Sequence, residues 1–160
     1  MRRGDTEMTD LQTLVDAFAA ETGLGQAEPD ANGFYHFFND DGQMSVGPAE
    51  DGGIVLLAEV GDVPPEGREQ FYRLLLEAMY GLSETKGATF LVVRNTEKIL
   101  LRQVVSAARA VSEPLADRLN AFADLQAEWS RRIADFTPSI ETEDREGAEE
   151  GLMRPDVIWV

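Results

Sequence analysis

The side chains able to carry chemistry are few in this sequence, and none stands in a recognised catalytic motif. His36 is the single histidine and lies within the aromatic run Phe34-Tyr35-His36-Phe37-Phe38. It is either a general base or a histidine packed in a strand, and no nucleophile elbow accompanies it. We interpret it as a strand residue. The chain has no cysteine, so we expect no disulfide, thiolate nucleophile, zinc ribbon or iron–sulfur cluster.

Carboxylates are abundant, but their spacing matches no metal or nucleotide motif. Asp40-Asp41-Gly42 and Asp51-Gly52-Gly53 lack the D-x-[DN]-x-[DN]-G order of a calcium loop. Gly23-Leu24-Gly25 lacks the later glycine and the preceding strand of a dinucleotide fingerprint. We therefore expect no metal and no cofactor. An enzyme that uses carboxylates and Arg is the alternative from a different class, and a pocket of converging carboxylates with a strongly raised pKa would favour it.

Composition favours a soluble, acidic, globular protein of one domain. The 160 residues include 14 Lys+Arg and 30 Asp+Glu, a formal charge of −16, and 43% of them are hydrophobic. So acidic a chain is unsuited to nucleic acid, whose binding needs cations to replace counterions, and to anionic membrane surfaces. No apolar run reaches the ~20 residues of a membrane span, and the start MRRGDTEMTDLQ lacks the apolar core of a signal peptide. We expect a cytoplasmic protein.

The elements that must position any site follow from apolar spacing, which predicts an α+β fold of order α-βββ-α-ββ-α. The opening helix places its apolar residues at i, i+3, i+4, i+7 and i+8, with Thr9 and Gly23 as its expected caps. Ser112 is the expected cap of the last helix, whose apolar stripe runs to Phe136. Strands are predicted at 34–38, 43–46, 54–60, 88–93 and 98–105, where β-prone runs alternate with turn residues.

The predicted second helix, at about residues 66–83, is apolar around most of its circumference. Only Glu69, Arg73 and Glu77 form a polar line along it. A helix of this kind needs two buried faces. One face can lie on the sheet, but a single small domain has little left to cover the other. The pattern therefore favours a protein–protein contact through this helix, against the alternative of a well-filled monomer core.

We divide the chain into an N-terminal extension (1–8), a folded domain (9–136), an acidic linker (137–151) and an apolar C-terminal tail (152–160). The linker holds six acidic residues and one Arg, and such a composition is typical of a solvated segment. The tail includes the strand-prone run Val157-Ile158-Trp159-Val160. Two interpretations stay open for it. Either it occupies an apolar groove or sheet edge of its own or a neighbouring subunit, or it is a frayed end.

Four stretches and their order resemble the class I type III secretion chaperones, the CesT/Tir-chaperone family. Each stretch is a pattern of apolar spacing with one or two landmark residues, so the specificity lies in their combination. Together they cover about Leu11 to Phe136, and the family's fold implies a twisted antiparallel sheet with three helices. The stretches are LQTLVDAFAAETGL, GGIVLLAEVGDVPPEGREQFYRLLLEAMYG, GATFLVVRNTEKILLRQVV and AFADLQAEWSRRIADF.

The resemblance implies a homodimer that binds the N-terminal segment of a secreted effector in the bacterial cytoplasm and keeps it unfolded for secretion. Such chaperones hydrolyse no nucleotide. The alternative is a chaperone-like regulatory or protein-interaction module not tied to secretion. Carried over by position, the dimer-interface candidates are Phe71, Tyr72, Leu75, Leu76 and Met79. The client-binding candidates are Leu11, Leu14, Phe18, Tyr35, Phe37, Leu100 and Arg102.

Overall fold

The structure is a computed structural model that describes residues 3–23, 25 and 27–139, with side-chain surroundings from Leu11 onward. The predicted tail and most of the predicted acidic linker lie outside the described residues. Within those residues every helix is too short or too polar to span a bilayer. The elements are α1 (Arg3–Thr22), β1 (Tyr35–Asn39), β2 (Gly42–Pro48), β3 (Ile54–Asp62), α2 (Arg68–Ala78), β4 (Thr89–Val92), β5 (Lys98–Val105), α3 (Ala107–Ser112) and α4 (Leu115–Ala134).

The predicted α+β order is confirmed, with one short helix added. The strands form a five-stranded antiparallel sheet of order β1-β2-β3-β5-β4, and each predicted strand end lies within two residues of the observed one. The second helix ends earlier than predicted, at Ala78, and a 3-10 turn (Tyr80–Leu82) follows it. Apolar and β-prone runs bounded by turn residues were thus sufficient to predict where the strands lie along the chain.

Two of the three predicted helix caps are wrong. Thr9 lies inside α1, because that helix already begins at Arg3. Ser112 is the last residue of the added helix α3. The N-terminal cap of α3 is Ser106, whose side chain accepts a hydrogen bond from the Arg109 amide. The C-terminal cap is confirmed, since Gly23 adopts the left-handed conformation with φ of 70°.

The helices and one face of the sheet enclose a single core. On β3 the alternate residues Ile54, Leu56, Ala58 and Val60 face this core. Helix α4 packs across β3, and the stripe predicted from the sequence is its buried side. The buried residues of that stripe are Leu115, Leu119, Phe122, Leu125, Trp129 and Ile133.

A buried glutamine joins α4 to the middle of the sheet. The Gln126 side chain donates to the Glu59 carbonyl at 2.8 Å and to the Gln43 carbonyl at 3.3 Å. Its oxygen accepts a hydrogen bond from the Asn39 side-chain amide at 2.8 Å. One fully buried side chain therefore bonds to three strands, β1, β2 and β3, and satisfies its own polar atoms in doing so.

The Glu59 carbonyl, which accepts the shorter hydrogen bond from Gln126, lies at a β-bulge. The register of β3 against β5 shifts between Glu59 and Gly61, and a bulge locally interrupts the ladder of hydrogen bonds. Gly61 has a φ of 144°, and a Cβ there would come within 2.8 Å of the Ile133 side chain. The glycine therefore lets α4 lie close to β3 at Ile133, about two helical turns beyond Gln126.

Gln126→Leu should destabilise the fold by about 1–3 kcal/mol, the cost of leaving a buried carbonyl without a hydrogen bond. Leucine keeps a similar volume, so a cavity contributes little to the loss. Urea unfolding measures the change. The control is Asn120→Leu on the exposed side of α4, and an equal loss in the two variants would contradict the role of the glutamine.

Candidate functional site

Helix α2 carries apolar residues on two different sides. Residues at i, i+4 and i+7 face the subunit's own core and are buried: Phe71, Leu75 and Ala78. Tyr72 and Leu76 on the outside of the helix, and Tyr80 in the 3-10 turn that follows it, are spaced by four and define the α2 stripe. Leu76 is 64% exposed and Tyr80 is 90% exposed. The described part of the subunit therefore presents a row of large apolar side chains that it does not itself cover.

Charged side chains border the α2 stripe. Arg73 donates to Glu77 at 2.8 Å, and Arg68 forms an ion pair with Glu97. The hydrogen bond to Glu97 raises the pKa of Arg68 above its usual range. The stripe lines a shallow depression of about 820 Å³ together with Arg68, Glu69, Arg73 and Glu77. An apolar centre with a charged rim is the usual composition of a protein–protein interface.

Strand β4 lies beside the end of α2 and extends the apolar surface. The Phe90 amide donates to the Met79 sulfur at 3.3 Å, which holds the strand against the helix. Val92 pairs with the buried Ile99 and is exposed on the helix side of the sheet, whereas Leu91 pairs with Leu100 and is exposed on the opposite face. Because β4 is an edge strand, its outward backbone groups are available to pair with another chain.

The five dimer-interface candidates divide between the two sides of α2. Tyr72 and Leu76 lie on the stripe, and Met79 is half-buried beneath β4. Phe71 and Leu75 face inward and belong to the subunit's own core. The sequence interpretation missed Tyr80, although it continues the spacing of four from Tyr72 and Leu76. Separating the helix into two faces, instead of treating it as apolar all round, would have found it.

Five client-binding candidates meet at the other end of the sheet. The rings of Phe18 and Phe37 pack edge to face with centroids 5.2 Å apart. The Tyr35 hydroxyl donates to the Gln12 side chain, and burial raises the pKa of that hydroxyl. Leu14 and Phe37 are the partly exposed members. We call this cluster the α1–β1 patch: Leu11, Leu14, Phe18, Tyr35 and Phe37.

A sequence profile decides what kind of protein carries these surfaces. The profile of the Tir chaperone protein (CesT) family matches residues 13–130, which include the α2 stripe and all of the α1–β1 patch except Leu11. The chain belongs to the CesT family. The resemblance found in the sequence is therefore confirmed. No curated protein sequence matches the chain.

Solved structures share the fold of this CesT-family chain. A chain of the ExsC–ExsE complex matches with a TM-score of 0.65 and 18% identity, covering 83% of this chain and 97% of that one. The HopA1–SchA chaperone–effector complex gives a TM-score of 0.63 and 11% identity, covering 82% and 98%. The Yersinia pestis type III secretion chaperone SycH, in complex with a stable fragment of YscM2, gives a TM-score of 0.54 and 20% identity. This match covers 74% of the present chain and 98% of the other. At these identities the likeness shows the fold.

The last two client candidates of the CesT-family chain, Leu100 and Arg102, lie on the opposite face of the sheet. Leu101 between them is fully buried and pairs with Ala58, so its neighbours in the strand point away from the core. Arg102 pairs there with Leu57. The structure therefore does not bring these two residues together with the α1–β1 patch.

The same outer face holds a chain of hydrogen bonds through the single histidine. His36 Nε2 lies 2.9 Å from Asp30 Oδ2, and Nδ1 lies 2.7 Å from Ser45 Oγ. Gln43 donates to Nδ1 at 2.9 Å, so Nε2 carries the proton that faces Asp30. The sequence analysis found no such partners for His36, because Ser45 reaches it only through the pairing of β1 with β2.

This Asp–His–Ser arrangement serves the structure. Ser45 lies in the middle of β2 and not on the sharp turn after a strand that exposes a nucleophile beside an oxyanion hole. Asp30 accepts the Asn32 and Phe34 amides at 2.8 and 3.0 Å and so closes the loop before β1. Hydrogen bonds from the Phe34 amide, His36 and the Asn32 amide lower the pKa of Asp30, so they stabilise its ionised form in this loop. Among the described residues no three His, Asp or Glu side chains could hold a metal ion.

Asp30→Asn should cost stability that disappears in acid. The folded state holds the pKa of Asp30 below its ordinary 3.8, so the carboxylate stabilises the fold above that pH and loses its effect as the pH falls through the lowered value. The difference in unfolding free energy from the wild type should therefore shrink as the pH falls below 3.8. Urea unfolding in acid measures it, with Asp40→Asn in the exposed β1–β2 turn as control. A difference that grows on acidification would contradict the assignment.

Proposed function

We propose that this CesT-family chain is a class I type III secretion chaperone. It binds the N-terminal segment of a secreted effector as a homodimer in the bacterial cytoplasm and keeps that segment unfolded for secretion. The observation that carries the proposal is apolar surface left over on a subunit whose own core is filled, namely the α2 stripe with β4 and the α1–β1 patch. The neighbours support it, since HopA1–SchA is a chaperone–effector complex and SycH holds a fragment of YscM2. Binding by burial requires no cofactor and no catalysis.

The α2 stripe is the proposed dimer contact. In a two-fold dimer the same patch occurs on both subunits, so Tyr72, Leu76 and Tyr80 would pack against their own copies. Full burial of a large apolar side chain contributes roughly 1.5–3 kcal/mol, and Leu76 and Tyr80 have most of their surface still to bury. Phe71 and Leu75 support the stripe from the core, and Met79 positions β4 beside it.

The α1–β1 patch and the edge of β1 are the proposed client surface. Leu14 and Phe37 offer partly exposed apolar contacts over the buried Leu11, Phe18 and Tyr35. Strand β1 is the second edge of the sheet, and an extended client segment can add to such an edge as a further strand. Leu100 and Arg102, on the opposite face, are proposed as a separate second contact for the same segment.

Leu76→Glu should convert the dimer into a folded monomer. Leu76 is exposed within the subunit, so the charge leaves the core intact but cannot be buried between two subunits without a cost of several kcal/mol. Sedimentation velocity measures the mass, and circular dichroism verifies the fold. Val111→Glu on α3 is the matched control, because Val111 is 85% exposed and lies outside the stripe. A wild-type chain that stays monomeric at high micromolar concentration would contradict the dimer.

Client binding should lower the heat capacity and depend weakly on salt. Burial of apolar surface gives a negative ΔCp of binding, whereas salt screens a mainly electrostatic contact. Calorimetry at several temperatures and two salt concentrations, with the N-terminal segment of a secreted protein encoded beside this chain, measures both. Leu14→Asp should weaken binding and Val111→Asp should not. An affinity that falls steeply with salt argues against burial, and a native partner that is never secreted would favour the regulatory module instead.

A further inference from the structure

A second groove lies between α2 and α4, on a different side of α2 from the stripe. Its apolar wall is formed by Leu74, Ala78, Trp129 and Phe136, and its volume is about 870 Å³. Leu74 is 40% exposed there. Two residues along a helix are about 200° apart around its axis, so Leu74 points away from the neighbouring Tyr72 and Leu76. A dimer through the stripe would leave this groove open.

The rim of this α2–α4 groove carries two arginines and three carboxylates, Glu77, Glu84 and Asp135, so its net formal charge is −1. Arg73 is paired with Glu77 on the α2 wall, and Arg132 is paired with Glu84 on the other side. Arg132 also stacks over the Trp129 ring at 4.6 Å. In a chain of net charge −16, a groove with an apolar wall and a nearly balanced rim suits an uncharged apolar segment better than an acidic one.

The described chain ends inside this groove. Phe136 packs edge to face on Phe71 with centroids 5.1 Å apart. Ser139 lines the groove and is bound to Gln70 twice, since its amide donates to the glutamine oxygen at 2.8 Å and its carbonyl accepts from the glutamine nitrogen at 3.1 Å. Pro138 covers Gly67, where a Cβ would come within 2.5 Å of the proline ring. The exit point of the chain is therefore fixed against α2.

The remaining sequence has the composition that the groove would take. Residues 152–160 read LMRPDVIWV, with six large apolar side chains and one Arg balanced by one Asp. Residues 140–151 hold six acidic residues against one Arg, a composition that disfavours burial. Twelve such residues span roughly 17–21 Å as a flexible chain, and helix α2 is about 16 Å long. The reach of the linker is therefore comparable to the length of the helix that forms one wall of the groove.

We propose that the apolar tail, residues 152–160, docks into the α2–α4 groove of its own subunit. Tethering favours this occupant, because a short linker holds the tail near the groove at an effective concentration in the millimolar range. The docked tail covers Leu74 and keeps a second copy or an unrelated apolar segment out of the groove. The proposal is independent of client binding, and it is tested on the purified chain alone.

Acrylamide quenching of tryptophan fluorescence tests the proposal on the full chain. Trp129 is 1% exposed, so quenching reports mainly on Trp159. The indole of Trp159 should be protected in the wild type, and Leu74→Glu should raise the quenching constant several-fold. Val111→Glu, the same exchange away from the groove, should leave it unchanged. Ile158→Asp changes the tail alone and should also release Trp159, which guards against misfolding of the groove variant.

Three results would overturn the assignment. A Trp159 quenched as strongly in the wild type as in urea would mean that the tail is undocked. Release by Leu76→Glu but not by Leu74→Glu would place the tail on the α2 stripe. Protection that disappears on dilution, while the dimer mass is unchanged, would mean that the tail binds a different molecule.

Discussion

The docking of α4 across the bulged strand β3 is the contact on which the other surfaces depend. Gln126 holds the helix to the Glu59 carbonyl at 2.8 Å, and Gly61 removes the side chain that would keep the helix away. This contact commits the helices to one face of the sheet. With α4 over the middle of that face, α1 lies toward the β1 end and α2 toward the β4 end, each with one side turned outward.

An exposed apolar side of α2 follows from that arrangement. A helix that flanks the layer can bury Phe71 and Leu75 against α4 and the sheet, but nothing in the described part of the subunit lies beyond its other side. Tyr72, Leu76 and Tyr80 are therefore left in water. The strongly acidic composition of the chain keeps such a surface soluble. The high negative charge therefore offsets the tendency of the exposed apolar surface to aggregate.

Periodicity in the sequence was enough to predict the elements but not the contacts between them. The stripe of α4 and the bounds of β3 depend on local spacing and turn residues, and both lie in the structure close to where they were predicted. Gln126 gave no such signal, because a polar residue beside an apolar stripe is ordinary on a helix. The Asp30–His36–Ser45 hydrogen bonds were missed for a similar reason, since Ser45 meets His36 only through the register of two strands. Predicting either set of hydrogen bonds requires knowing which strands pair and in which register.

The positions of the two sheet edges explain how a dimer and a client could use one small subunit together. Strand β4, beside the α2 stripe, is one edge of the sheet, and β1, beside the α1–β1 patch, is the other. In the proposed dimer the two β4 edges lie near the two-fold axis and the two β1 edges lie far from it. A client segment that added to a β1 edge would then meet no obstruction from the partner subunit. An effector segment long enough to pass from one β1 edge to the other would bind both subunits, so that dimer formation and client capture would reinforce each other.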